Sequence, residues 1–323
     1  MEKIRYSLVV PVFNEEAVIE ETNRRLTGVM AGLDEPYEII YINDGSRDRS
    51  GSLLRSFCQA DPRVKLLTFS RNFGHQTAIT AGMDYAAGDA VIVIDADLQD
   101  PPEIIPQMIE RWQQGFDVVY GKRIARQGET WFKQRSASLY YQLLNRLTDV
   151  DIPSDVGDFR LIDAKVRDAL LTIPEHNRYV RGLISWLGFR QTDVEFVRAP
   201  RFAGVTKYPL RKMIRLGIDG ITSFSYKPLK VGIGLGLTLS IFSFCFLLFV
   251  FIARLFDLVV MEPGYASLMS VLLFFFGIIL IMLGIIGEYI GRIFEEVKGR
   301  PLYVISDRTG QFGRSGRDQR RSD

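Results

Sequence analysis

Cysteine and histidine are scarce in this chain of 323 residues, with two of each. Cys58 lies in a mixed, charged stretch and Cys245 inside a long apolar one, so no disulfide framework can be built. His75 and His176 are far apart with no cysteine cluster beside them, which argues against a zinc site. An excess of one charge is missing too. Forty Lys and Arg face 38 Asp and Glu, and a net +2 gives no reason to expect a nucleic-acid partner. The opening residues, MEKIRYSLVV, lack a basic segment followed by a long apolar run, so the N-terminal part is expected to stay in the cytoplasm.

Apolar residues are plentiful. At 47% hydrophobic and 24% charged, the composition excludes a disordered chain, a collagen and a disulfide-stapled miniprotein. The mean hydropathy of +0.07 conceals an uneven distribution, because residues 231–253 and 263–287 carry no charge at all. Each run can cross roughly 30 Å of hydrocarbon as a helix rising about 1.5 Å per residue. Two spanning helices are therefore expected, over 231–253 and 265–287. Arg211, Lys212, Arg215, Lys227 and Lys230 precede the first, and Arg292, Lys298 and Arg300 follow the second. The connector holds only Arg254 with Asp257 and Glu262. By the positive-inside rule this is a multi-pass protein with both ends cytoplasmic.

Between Arg201 and Lys230 stand seven basic residues against one acid, Asp219, a cluster suited to anionic headgroups or a lipid phosphate. Leu210, Met213, Ile214, Ile218, Ile221 and Phe224 recur there at helical spacing after Pro209, which predicts an interfacial helix over 206–230. Trp131 to Leu147 reads as either an interfacial or a core helix. Ile290, Ile293, Phe294 and Val297 predict a short amphipathic helix after the second span, and GRSGRDQRRSD a disordered tail, together making up 288–323.

The first 160 residues alternate continuous apolar runs with helical patterns. Ser7–Phe13, Glu38–Asp44, Val64–Ser70, Ala90–Asp97 and Asp117–Gly121 read as buried strands, with helices such as Glu16–Met30, after an Asn14 cap, and Thr77–Ala87 between them. This predicts an α/β fold, a mostly parallel sheet with helices on both faces. Ligands of such sheets sit at the carboxyl ends of strands. There the fourth run, VIVID, passes into Asp95-Ala96-Asp97-Leu98-Gln99-Asp100-Pro101-Pro102. Two carboxylates one residue apart at a strand end are hard oxygen ligands suited to Mg²⁺ or Mn²⁺ on a diphosphate.

VPVFNEE (Val10–Glu16), NDGSRDRS (Asn43–Ser50), SRNFGH (Ser70–His75), DADLQDPPE (Asp95–Glu103) and G-x-R (Gly121–Arg123) follow one another in the order and spacing of the inverting GT-A glycosyltransferases of family 2. More narrowly, the chain resembles the polyprenyl-phosphate glycosyltransferases related to dolichyl-phosphate mannose synthase and to bacterial glucosyltransferases of O-antigen glucosylation. The likeness spans the catalytic region and the two-helix anchor. It implies a Rossmann-like GT-A domain over 1–205, ahead of the interfacial helix and a C-terminal transmembrane hairpin within 231–287.

The resemblance also implies roles. Pro11, Asn14 and Glu15 would line the nucleoside pocket, and Asp44 would accept from the base edge of uracil or guanine. Asp95 and Asp97, with Gln99, would hold Mg²⁺ or Mn²⁺ against the diphosphate, and Arg123 would add a planar cation. Arg71 is either a donor-site residue or a solvated loop arginine. Asp158, in DVGDFRL, corresponds to an Asp of the glucosyltransferase branch. It is a base or acceptor-positioning group on one reading and a structural partner of Arg160 on the other. Arg201, Lys207 and Tyr208, in RFAGVTKY, would receive the acceptor phosphate.

The implied activity is inverting transfer of a hexose, with glucose from UDP-glucose the leading donor, to undecaprenyl phosphate at the bacterial inner membrane. GDP-mannose-dependent mannose transfer and a non-catalytic nucleotide-sugar-binding scaffold are the alternatives. The implied partners are a nucleotide sugar, polyprenyl phosphate, the bilayer, further copies of the chain through Gly232, Gly234 and Gly236, a flippase and a downstream glycosyltransferase.

Overall fold

The computed structural model describes residues 3–124, 156–176, 178–197 and 264–312, with scattered positions between 229 and 256. The described residues fall into two compact units. One holds those up to 197 together with 300–312, the other those from 229 to 299.

The first unit is built on eight strands: β1 (Tyr6–Val12), β2 (Tyr37–Asn43), β3 (Val64–Phe69), β4 (Ala90–Val93), β5 (Val118–Ile124), β6 (Val156–Asp163), β7 (Gln191–Val197) and β8 (Ile305–Thr309). Their order across the sheet is β7-β5-β6-β4-β1-β2-β3-β8. β1 pairs in parallel with β2 and β4, β2 with β3, and β5 with β7. β6 runs against β4 and β5, and β8 against β3. The sheet is thus mostly parallel, as the sequence predicts.

Two faces are covered, which is why the strands are apolar at consecutive positions rather than alternate ones. Leu8, Val10 and Tyr41 share one core with Ile19, Leu26 and Met30 of α1 (Ile19–Ala31), Leu54 of α2 (Ser50–Ala60) and Ile105 and Met108 of α4 (Ile105–Gln113). On the opposite face Val9 and Ile42 meet α3 (His75–Tyr85) at Gly82, where an added Cβ would fall 2.2 Å from Val9. Only glycine permits that approach. α5 (Ala164–Thr172) and α6 (Val180–Trp186) complete the helices of this unit among the described residues.

Pro11 stands in the central strand β1, where a missing N–H normally costs a ladder bond. Here it costs none. Val12 accepts from Asp44 on the β2 side and Val9 from Ile94 on the β4 side, so residue 11 would donate toward β4, whose pairing has already ended at Val93. The chain proceeds outward from β1 through β2 and β3, then returns to place β4 on the other side of β1. The reversal opens a crevice at the carboxyl ends of β1 and β4, the place where such sheets bind ligands.

Some local expectations shift. α1 begins at Ile19 rather than Glu16, and no side chain caps it. Asn14 instead adopts φ 54 and bonds a neighbouring turn. β4 stops at Val93, leaving Asp95 and Asp97 in the turn.

In the second unit, α7 (Tyr265–Val297) runs 33 residues without a break, about 50 Å at the usual rise. The expected second span and the short helix after it are one helix. Its segment Phe274–Val297 has a mean hydropathy of 2.1 and none of it is buried, so it is long and apolar enough to cross a membrane. Gly232 packs on Met282 so closely that a Cβ would collide with it, while Gly234 and Gly236 face open space. Most of the expected first span, the helix over 206–230, Trp131–Leu147 and the tail from 313 lie outside the described residues. Beyond α7, residues 300–312 belong to the first unit and contribute β8 to its sheet edge.

Candidate active site

Several turns meet at the crevice. The Asn14 Oδ1 accepts from Arg47 N at 2.9 Å, while Asn14 N and Glu15 N donate to the hydroxyls of Ser46 and Ser50 at 3.0 and 2.9 Å. These bonds tie the turn after β1 to the turn after β2. Asp44, buried at the end of β2, accepts from Phe73 N at 2.7 Å and Gly74 N at 3.0 Å, tying in the turn after β3. Burial raises its pKa, and the two backbone donors pull it back. Gly45, at φ +69, lies so close to this third turn that a Cβ would sit 2.6 Å from the Arg71 carbonyl carbon. Arg71 is exposed, its guanidinium 4.0 Å from the centre of the Phe73 ring. Pro11, Asn14, Glu15, Asp44 and Arg71 are thereby collected at the ends of three adjacent strands.

The acidic turn follows β4. Leu98 is forced to φ 57, and Gln99 N donates to Asp97 Oδ1 at 3.1 Å. The Asp95 Oδ1 is screened from solvent and accepts no well-formed hydrogen bond, although His75 Nε2 faces it at 3.3 Å. Burial, then the carboxylates of Asp158, Asp100 and Asp97, push Asp95 up to about 6 against the pull of His75. A shielded, under-coordinated carboxylate oxygen among other carboxylates suits a divalent cation. No three His, Cys, Asp or Glu side chains among the described residues form a closed cage. A hard cation bound by one or two carboxylates completes its shell with phosphate oxygens and water, so Asp95 and Asp97 fit such an ion.

Across from this turn, β6 presents Asp158 from an almost fully buried position, at 6% exposure. Arg181 of α6 grips both its oxygens, with Nε to Oδ1 at 2.8 Å and Nη2 to Oδ2 at 3.1 Å. Gln76 Nε2 donates to Oδ2 at 3.1 Å, and His75 Nε2 lies 3.2 Å from the same atom. Burial alone would raise Asp158, but Arg181 and His75 prevail and hold it well below the usual carboxylate range. Burial likewise opposes charge on His75, yet Asp95 and Asp158 together lift it to about 9. The His75 imidazole thus lies between two aspartates that favour its charged form. Arg160 donates to the Gly157 carbonyl at 2.9 Å and lies within the electrostatic reach of Asp158, whose hydrogen-bonded guanidinium is that of Arg181. Arg123, on β5, binds Asp100 at 3.2 Å at the rim of the acidic turn.

Sequence reading passed over His75 as a possible catalytic neighbour, although it closes the motif SRNFGH. It also missed Gln76 and Arg181. For Arg181 no local signal exists, because its partner Asp158 belongs to a strand reached only through the fold. Arg201, Lys207 and Tyr208 lie outside the described residues.

Residues 7–171 match the Glycosyl transferase family 2 description, and residues 227–293 match the GtrB C-terminal hairpin. A Bacillus subtilis (strain 168) protein described as an uncharacterized glycosyltransferase, YkcC, is 54% identical over 99% of this chain and 99% of its own. The SfII prophage-derived bactoprenol glucosyl transferase of Shigella flexneri is 43% identical, covering 94% of this chain and 97% of its own. A prophage bactoprenol glucosyl transferase homolog of Escherichia coli (strain K12) is 41% identical over 94% of this chain and 98% of its own. The mostly parallel sheet, with a crevice at its switch point and an acidic turn after β4, is the GT-A architecture expected from the sequence, and the family match makes it a glycosyltransferase. The chain belongs to glycosyl transferase family 2, and its hairpin match and apolar α7 associate it with a membrane.

Proposed function

We propose that this enzyme transfers glucose from UDP-glucose to undecaprenyl phosphate, with inversion, at the cytoplasmic face of a bacterial inner membrane. The observation that carries this reading is the 43% identity to a bactoprenol glucosyl transferase, which extends over 94% of the chain, together with the match of the hairpin region.

The site chemistry agrees with it. A lipid monophosphate, with a second pKa of about 6, is already an oxyanion near neutral pH. It needs no strong base, and Asp158, held ionised by Arg181 and His75, is a poor one. Asp158 with its cationic neighbours orients the acceptor. The phosphate oxygen forms a bond to the anomeric carbon while the bond from that carbon to UDP breaks, its electron pair leaving on the diphosphate. An α-linked donor then yields a β-linked lipid-phosphate sugar. Asp95 and Asp97, with Gln99 beside them, would hold Mg²⁺ or Mn²⁺, which neutralises charge developing on the leaving diphosphate. Arg123 adds positive charge at the same rim, and Asn14, Glu15, Asp44 and Arg71 surround the nucleoside. Arg201, Lys207 and Tyr208 receive the lipid phosphate, and both termini lie in the cytoplasm.

The test is incubation of purified protein with undecaprenyl phosphate and a panel of radiolabelled nucleotide sugars, followed by extraction of the lipid phase. Label from UDP-glucose is expected. Label from GDP-mannose alone would replace the donor assignment, and none from any donor would favour a binding scaffold.

A further inference from the structure

The C-terminal segment that follows α7 in the chain is a strap over the turn after β3. We infer that Tyr303 is a positioning residue for the nucleotide-sugar donor, acting through Phe69 and Phe73 on the turn 70–74. This inference rests on the donor-site reading given above.

Tyr303 is buried at 5% exposure, although its neighbours Leu302 and Val304 are half-buried and exposed. Its ring stacks on Phe69 with centroids 5.2 Å apart and planes 16° apart, and Phe69 meets Phe73 edge-on at 5.6 Å. Its hydroxyl donates to Asp84 Oδ2 at 2.6 Å, anchoring it to α3. One residue on, the Val304 carbonyl accepts from Ser70 N at 3.0 Å, so the strap bonds the first residue of the turn directly. The strap is held at its start by the Arg300 carbonyl against His176 Nε2 at 2.5 Å, and farther along by β8 on β3 and by Phe312 against Tyr85.

The turn is thus fixed from both sides. Asp44 holds the amides of Phe73 and Gly74 from the crevice side, and Tyr303 with Val304 holds Phe69 and Ser70 from the other. The turn carries Arg71 and delivers the chain to His75, which touches Asp95 and Asp158. Loss of the Tyr303 ring leaves the outer side of the turn with the Ser70 bond to Val304 alone, while Asp44 holds its far end next to Gly74, at φ +101, a ready hinge. Donor affinity then falls because the turn must be ordered on binding.

The experiment is steady-state kinetics on the full-length protein with Tyr303→Ala and Tyr303→Phe, using UDP-glucose and undecaprenyl phosphate, with UDP binding in Mg²⁺ measured by calorimetry. Tyr303→Ala is expected to raise the donor KM and the UDP Kd about threefold to tenfold, the worth of a buried aromatic pair. The acceptor KM should stay unchanged and kcat within about twofold, and Tyr303→Phe, which keeps the stack, should restore most donor affinity. A purely architectural role would lower kcat by reducing the active fraction and leave both KM values alone, and that result overturns the inference. If Tyr303→Ala does not fold, Tyr303→Leu is read by the same criteria. Absence of turnover in the unsubstituted enzyme would instead refute the donor and acceptor assignment, and UDP binding still tests the strap.

Discussion

Arg181 donates to both carboxylate oxygens of Asp158, a residue 23 positions earlier on another element, at 2.8 and 3.1 Å. The fork geometry is specific to guanidinium, and a lysine offers only a point charge. Arg181→Ala should lower kcat/KM for the lipid acceptor by at least about tenfold, the scale of a charge-assisted hydrogen bond, and Arg181→Lys should recover little. Acceptor titration of the two variants checks this, and full activity of either would contradict it.

Asp158 itself is expected to position rather than to take a proton. With its pKa held far down by Arg181 and His75, it cannot supply the acid limb of the rate profile. That limb should lie near about pH 6, where the lipid phosphate loses its second proton, and should persist in Asp158→Asn while the acceptor KM rises. Disappearance of the limb in that variant would mark Asp158 as the base.

His75 gives a stability test. Its folded pKa of about 9 lies above the ordinary 6.5, so the stabilisation from its charge is complete below the lower value and is lost as pH rises through the upper one. The thermal midpoint of the unsubstituted enzyme, in metal-free detergent buffer, should exceed that of His75→Gln by more at about pH 6 than at about pH 9.5. A difference independent of pH would show the imidazole pKa to be unshifted by folding, and a difference larger at the higher pH would show it neutral in the folded state.

The acidic turn carries a sharper expectation. Asp97→Ala should reduce transfer by roughly a hundredfold or more while membrane insertion is unaffected, as loss of electrostatic stabilisation at a leaving group generally does. Undiminished activity with purified lipid would remove Asp97 from the site.

At the opposite end of the sheet, Lys65 and Glu38 form a buried pair at 2.5 Å, Glu38 also accepting from Ser7 Oγ and Ala87 N. Lys65→Met leaves a buried carboxylate without its cation and should cost about 3–5 kcal/mol in denaturant unfolding, with Glu38→Gln added to it restoring much of the loss.

Strands β1 to β5 were legible because strands covered on both faces need apolar side chains at consecutive positions, a pattern written within four to seven residues. The motif residues could be placed at strand ends for the same reason. β8 was not legible. Its sequence, ISDRT, is an exposed edge with no apolar alternation, and it becomes a strand only because the edge of β3 has unpaired backbone groups to offer.

Local composition by itself determined the parallel core, the acidic turn after β4 and the apolar length of α7, since burial period and chain rise are properties of neighbouring residues. The tertiary structure alone decided which groups meet. His75 and Asp158, 83 residues apart, face one another because β6 inserts antiparallel beside β4, and Tyr303 reaches Phe69 because the chain returns after α7 to close the sheet. Such contacts depend on strand order and direction, which no short stretch of sequence encodes.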